Sequence, residues 1–249
     1  MNIKILVAAH KPYWMPVDEV YLPIHVGAEG KQDLGFTKDN GGENISLKNP
    51  DYCELTGIYW AWKNLEADYV GSVHYRRHFV SVNRGLFSTG KREDILTGAD
   101  WEKLLQECPI VVPNKRKYYI ENVRDQYIHA HDPKTFAVME DILQEKYPSY
   151  MPAFSALGTK KWAHMFNMFV MRKDYFDAYC EWLFDVLFEL EDRLVEHEPR
   201  LFGFLSERLL DVWLEANNLS YQEVPVAFME KQDWVKKGSN FVKRKFKLG

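Results

Sequence analysis

The sequence predicts an α/β protein built on a mainly parallel sheet, and three observations carry that prediction. Short apolar runs alternate with stretches of helical periodicity along the whole chain. Two of those runs, residues 3–9 and 68–73, end abruptly in clusters of hydrogen-bonding side chains. The 249 residues are 46% apolar and 27% charged, enough for one sizeable core and unlike a disordered composition.

The run Ile3-Lys4-Ile5-Leu6-Val7-Ala8-Ala9 reads as a buried first strand, broken by His10-Lys11-Pro12. Ligands of open α/β sheets gather beyond the carboxyl ends of strands, so His10 and Lys11 sit where a ligand is expected. Residues 27–50 are rich in Gly, Asp and Asn and form a long loop, of a length usually kept for function. Asn49-Pro50 joins a favoured cap to a favoured first-turn proline. It opens a helix on which Leu55, Ile58, Tyr59 and Trp62 share a face. Residues 68–73 make a second strand ending in His74-Tyr75-Arg76-Arg77. Asp100 caps a short helix over 101–107, 109–113 is a further strand, and a basic aromatic loop, Lys115-Arg116-Lys117-Tyr118-Tyr119, follows. Asp132-Pro133 repeats the cap-plus-proline signal for a helix running to Lys146. Residues 165–171 read as a strand, Asp174 caps a long helix through Leu194, and another helix spans 203–216. The last strand, 224–228, holds Pro225, which favours a sheet edge. One domain over 1–230 takes in all of these elements and leaves 231–249 as a tail.

A net charge of −4 argues against a protein held on nucleic acid by phosphate contacts. The tail departs from that balance. Lys231, Lys236, Lys237, Lys243, Arg244, Lys245 and Lys247 face the single acid Asp233, interleaved with Trp234, Phe241, Val242 and Phe246. This composition suits either contact with an anionic membrane surface or a solvated terminus. Cys53, Cys108 and Cys180 are widely spaced and suggest neither a disulfide framework nor a zinc ribbon. The apolar run at the start is too short for a secretory leader, and no apolar stretch reaches the ~18 residues of a membrane span. The chain is expected in the cytoplasm, with peripheral contact at the inner membrane face through the tail.

Two neighbouring guanidiniums, Arg76 and Arg77, placed directly after a buried strand, favour phosphate by charge and fork geometry. No phosphate-binding glycine loop of the nucleotidase or dehydrogenase kind is present. His129, His131 and Asp132 lie close enough in sequence to suggest a metal site, but lack a well-spaced further ligand. The fifteen Phe, fourteen Tyr and eight Trp suit a core and also the apolar faces of sugar rings.

The run Asp39-Asn40-Gly41-Gly42-Glu43-Asn44-Ile45-Ser46, the block from Tyr52 to Asn64 and His74-Tyr75-Arg76-Arg77 together resemble a family of bacterial capsular and exopolysaccharide biosynthesis proteins. His10-Lys11-Pro12, the segment from Pro23 to Ala28, Phe166-Asn167-Met168-Phe169 and the segment from Leu201 to Leu210 extend the likeness over nearly the whole chain. The resemblance implies a GT-A-like (Rossmann-like) glycosyltransferase fold, a mostly parallel central sheet flanked by helices with a helical C-terminal part. It implies transfer of a hexose, galactofuranose as the first expectation, from a UDP-sugar to a growing capsule, O-antigen or exopolysaccharide. The acceptor is expected to hang from a polyprenyl diphosphate. It further implies that His10, Lys11, His25, Gly27, Asn44, Ser46, Asn49, Tyr52, Glu54, His74, Tyr75, Arg76, Arg77, Asn167 and Arg208 form the donor site. The Asp-x-Asp motif with which GT-A enzymes hold manganese or magnesium is missing at the end of the second strand. Arg76, Arg77 and His74 are therefore expected to neutralise the diphosphate without a metal. Glu207 is the first candidate for the catalytic base and Asp132 the second. Two other readings stand beside this one: a sugar- or nucleotide-binding protein without turnover, and a metal-dependent phosphoesterase or nuclease built on His129, His131 and Asp132.

Overall fold

The computed structural model describes residues 1–82 and 89–230. Its strands are β1 (Ile3–Ala9), β2 (Tyr21–His25), β3 (Thr37–Lys38), β4 (Tyr69–His74), β5 (Arg77–Phe79), β6 (Ile110–Pro113), β7 (Arg116–Lys117), β8 (Trp162–Ala163), β9 (Phe169–Arg172), β10 (Gln222–Val224) and β11 (Val226–Phe228). The helices are α1 (Asn49–Tyr52), α2 (Leu55–Asn64), α3 (Gly98–Glu107), α4 (Val123–Ile128), α5 (Pro133–Lys146), α6 (Met151–Ser155), α7 (Lys173–Arg193) and α8 (Leu201–Ala216).

β1 lies inside the sheet because it is apolar on both faces. Leu6 and Ala8 enter one core layer, while Ile3, Ile5, Val7 and Ala9 enter the other. The strand order is β10-β6-β9-β4-β1-β2-β3, with β5 added to β4 and β11 to β5. Along the main path only β9 runs against its neighbours, so the sheet is mostly parallel, as the sequence predicts. Helices α1, α2 and α4 to α8 supply the larger core layer; Trp101 and Leu105 of α3 pack on the opposite face. This is the GT-A-like, Rossmann-like arrangement, and Pro225 separates β10 at the sheet edge from β11.

Four local expectations need correction. The helix opened by Asn49-Pro50 is broken after one turn, because Cys53 adopts a left-handed φ of 53°. Asn49 Nδ2 bonds the Cys53 carbonyl at 2.8 Å and stabilises the break, after which α2 starts afresh. The strand expected over 165–171 gives way to β8 and β9, separated by left-handed Phe166 (φ 80°) and Asn167 (φ 50°). Thr97, not Asp100, caps α3; Asp100 is its partner in a capping box. Asp174 lies inside the first turn of α7, where it pairs with Arg172 at 2.7 Å. The tail 231–249 lies outside the described residues.

Candidate active site

Strand polarity decides where polar groups meet. β1 and β4 end level with each other, Ala8 opposite His74, and β2 ends with His25 opposite Ala9. Because β9 is antiparallel, its beginning lies at that same end, Phe169 opposite Ser72, which brings Asn167 to the ends of the parallel strands. The break after α1 and the first turn of α8 close the place from the helical side.

A chain of hydrogen bonds ties these pieces together. Asn167 Nδ2 donates to Glu54 Oε1 at 2.7 Å and to the Gly203 carbonyl at 3.1 Å. Ser206 Oγ donates to Asn167 Oδ1 at 3.0 Å. His74 Nε2 lies 2.7 Å from the Phe166 carbonyl, which can only accept, so this nitrogen carries the hydrogen. It is also 3.8 Å from Glu54 Oε1. Burial pushes the His74 pKa down, against the pull of Glu54, and leaves a neutral ring donating to Phe166. Left-handed backbone at Cys53, Phe166, Asn167 and Arg200 converges here, a concentration of strain of the kind that marks functional sites.

Twelve of the sixteen residues of α8 are buried, so its interior polar side chains must find partners within the protein. Arg208 donates to Glu207 at 2.9 Å, to the Phe204 carbonyl at 2.7 Å and to Gln126 Oε1 at 2.7 Å. Glu207 is mostly withdrawn from water, with a side-chain exposure of 17%. Desolvation raises its pKa above the ordinary carboxylate value; Arg208 opposes the rise and Glu54 adds to it. Arg77 lies between two rings, 4.5 Å from the Phe166 centroid and 5.0 Å from that of Phe228. The rings hold its cation while leaving its N–H groups without a carboxylate partner among the described residues. Glu207 and then Glu54 are the charges that act most strongly on it, so one cation and two carboxylates share the cleft.

The other expected residues divide into two groups. Tyr75, 4% exposed, is a hub at the rim: His10, Tyr13, Lys11 and Arg76 all pack around its ring. Burial, then Lys11 and Arg76, lower the His10 pKa, so this imidazole is neutral near pH 7. Arg76 leans toward Glu230 at 3.3 Å, so the two guanidiniums are carried on different rings instead of acting as one fork. Their setting is also corrected: Tyr75-Arg76 is a tight turn, with His74 paired to Arg77.

The second group is turned inward. Asp39 is fully buried and accepts from Gly27 N (2.6 Å), Ala28 N (2.9 Å), Ser46 Oγ (2.5 Å) and Thr56 Oγ1 (2.6 Å). Ser46 is thus spent on the loop's own framework and not on a donor wall. Gly27, at φ +63°, admits no side chain, since a Cβ would lie 2.4 Å from Asn49. Asn44 folds back on the Asn40 and Gly42 carbonyls at 3.1 and 2.9 Å. Tyr52 is a core residue: it is fully buried, stacks on Phe202 at 4.4 Å and donates to Glu191 at 2.9 Å. His25 is buried in β2 with Nδ1 unpartnered, its pKa lowered by burial. Asp132 is exposed and caps α5 by accepting from Lys134 N at 2.9 Å, and among the described residues no hydrogen bond joins it to the cleft.

His129 and His131 pair with separate carboxylates, Glu121 at 3.2 Å and Glu198 at 2.6 Å. No group of three His, Cys, Asp or Glu able to hold a metal exists among the described residues, so the trio at 129–132 does not form a metal site. Sequence reasoning missed Asp39, Ser206, Gln126 and Arg200. Asp39 and Ser206 lie in segments that carry the resemblance, and Ser206 is also a polar residue on an otherwise apolar helix face, whereas Gln126 and Arg200 carried no signal.

The family model described as Domain of unknown function (DUF4422) matches residues 4–218. Among solved structures, the apo form of the bifunctional glycosyltransferase WbbM is similar, with a TM-score of 0.84 and 31% identity over 92% of this chain. The match covers 46% of that protein, so the chain spans about half its length. No curated protein sequence matches significantly.

Proposed function

Because the chain belongs to the family described as Domain of unknown function (DUF4422), and its cleft holds an anion-seeking cation beside a carboxylate of raised pKa, we propose that it is a glycosyltransferase using a nucleoside diphosphate sugar. The observation that carries this reading is the 31% identity and TM-score of 0.84 to a glycosyltransferase along 92% of the chain. A UDP-hexose, UDP-galactofuranose first, is the donor, and a growing surface polysaccharide on a polyprenyl diphosphate carrier is the acceptor.

The chemistry asks for three things, and the cleft has a group for each. An acceptor hydroxyl attacks the anomeric carbon and gives its proton to Glu207, whose pKa is raised by desolvation, the direction that makes a carboxylate a better base. The bond from that carbon to the diphosphate oxygen breaks, and its electron pair leaves with the diphosphate. Arg77, with Lys11 and Arg200 at the rim, faces that developing charge. Glu54, fixed by Asn167 at 2.7 Å, is oriented to accept hydrogen bonds from sugar hydroxyls.

The test is a panel of nucleoside diphosphate sugars, read by melting temperature and then by sugar release or transfer. A donor should raise Tm, and Glu207→Gln should keep that rise while turnover falls by about 10²- to 10⁴-fold. Full turnover in Glu207→Gln removes it as the base. Binding without turnover in the unaltered chain would leave a sugar-nucleotide-binding protein.

A further inference from the structure

The ribbon of β7 and β8 carries a surface feature that the cleft does not use. Tyr119 and Ile120, just past β7, are 82% and 65% exposed, and they are the only adjacent pair of large exposed apolar residues among those described. Arg116 and Lys117 precede them, both exposed and without an ion pair among the described residues. Lys161 across the ribbon is exposed as well.

The tip is held in place on both sides. Tyr118 N–H donates to the Lys161 carbonyl at 2.7 Å, its hydroxyl reaches Met165 Sδ at 3.2 Å, and Val123 N–H donates to the Lys160 carbonyl at 2.8 Å. Behind the ribbon, His164 is locked to α8: its ring Nδ1 lies 2.5 Å from Asp211 Oδ1, and its backbone N–H donates to Oδ2 at 2.8 Å. Asp211 stands one helical turn after Glu207. The ribbon and the proposed base are therefore fixed to the same helix, and Arg116 lies near enough to act on the Glu207 charge.

We infer that residues 116–120 dock the protein on an anionic phospholipid surface, with Tyr119 and Ile120 entering the headgroup region and Arg116, Lys117 and Lys161 resting on the phosphates. Charge complementarity selects this occupant. The chain as a whole carries −4, yet this tip bears exposed unpaired cations beside apolar side chains, the pairing that suits a bilayer interface. The consequence is a cleft opening next to the membrane.

The experiment is sedimentation of the full chain with phosphatidylcholine vesicles, with and without phosphatidylglycerol, in the absence of any sugar nucleotide, so that it is independent of the proposed activity. Binding should require phosphatidylglycerol and weaken as salt rises. Arg116→Gln with Lys117→Gln should lower partitioning by about thirtyfold. Tyr119→Ser with Ile120→Ser should lower it by about tenfold. Val195→Ser, altering an apolar residue that is 99% exposed elsewhere, should change nothing. All these positions are on the surface, and an unchanged Tm verifies folding. The inference is overturned by equal binding to neutral vesicles, by no binding, or by ribbon variants that bind normally. Self-association that the ribbon variants abolish without vesicles overturns it too, by showing a second copy as the occupant.

Discussion

Glu207 shows how one residue can link stability to chemistry. Its carboxyl is placed against Arg208 at 2.9 Å, yet desolvation still lifts its pKa above the ordinary 4.5. A carboxyl whose folded pKa is raised favours folding in its neutral form. The stability it lends is present in full below pH 4.5 and is lost as pH rises through the folded value. Unfolding free energies of the unaltered chain and of Glu207→Gln, compared across pH 4 to 8, should therefore diverge, the variant gaining on the parent toward neutrality. A flat difference would show that Glu207 titrates like a solvated carboxylate and is not tuned as a base. Arg77 makes the complementary point for cations. Two aromatic faces orient it without consuming its donors, whereas Arg76, leaning on Glu230, is the less available of the two.

At the scale of elements, the loop before α1 owes its shape to one buried carboxylate. Asp39 accepts four hydrogen bonds, from two backbone N–H groups and two hydroxyls, and so joins residues 27–28, 46 and 56. Asp39→Ala would strand these donors away from water, and a loss of about 3 kcal/mol in urea unfolding is expected, with weaker donor binding as the loop slackens. A loss under about 1 kcal/mol would mean that water replaces the carboxylate and that the loop is ordered by something else. The same region shows what a sequence can carry. Strands β1 and β4 were legible because unbroken apolar runs have few alternatives, and α5 because Asp132-Pro133 states its start twice. The breaks at Cys53 and Phe166-Asn167 were not legible, since left-handed backbone there is taken up without glycine and is imposed by tertiary contacts. Those breaks are what aim Glu54 and Asn167 at each other. The resemblance names both residues, while the geometry that unites them had no local signature. Tyr52 and Ser46 were misplaced for the converse reason: a polar atom on a helix or turn does not reveal whether it faces a cleft or the core.

For the molecule as a whole, charge distribution decides more than total charge. The chain carries −4, but Lys11, Arg77 and Arg200 stand at the cleft without ion pairs among the described residues. Facing them are two carboxylates, Glu54 and Glu207, already engaged with Asn167 and Arg208. On the proposed function, such a rim would attract a diphosphate through its own cations. A divalent ion would need several unengaged carboxylates instead, and no cluster of three candidate ligands exists among the described residues. Two consequences should be measurable with the donor that raises Tm. Its affinity should fall as salt rises, because exposed rim charges are screened within about 8 Å at physiological ionic strength. Its effect on Tm should be the same with a chelator as with added manganese. If chelation abolished the shift and manganese restored it, Glu54 and Glu207 would have to release their present partners and share a cation. The guanidiniums would then be bystanders to the leaving group instead of its counter-charge.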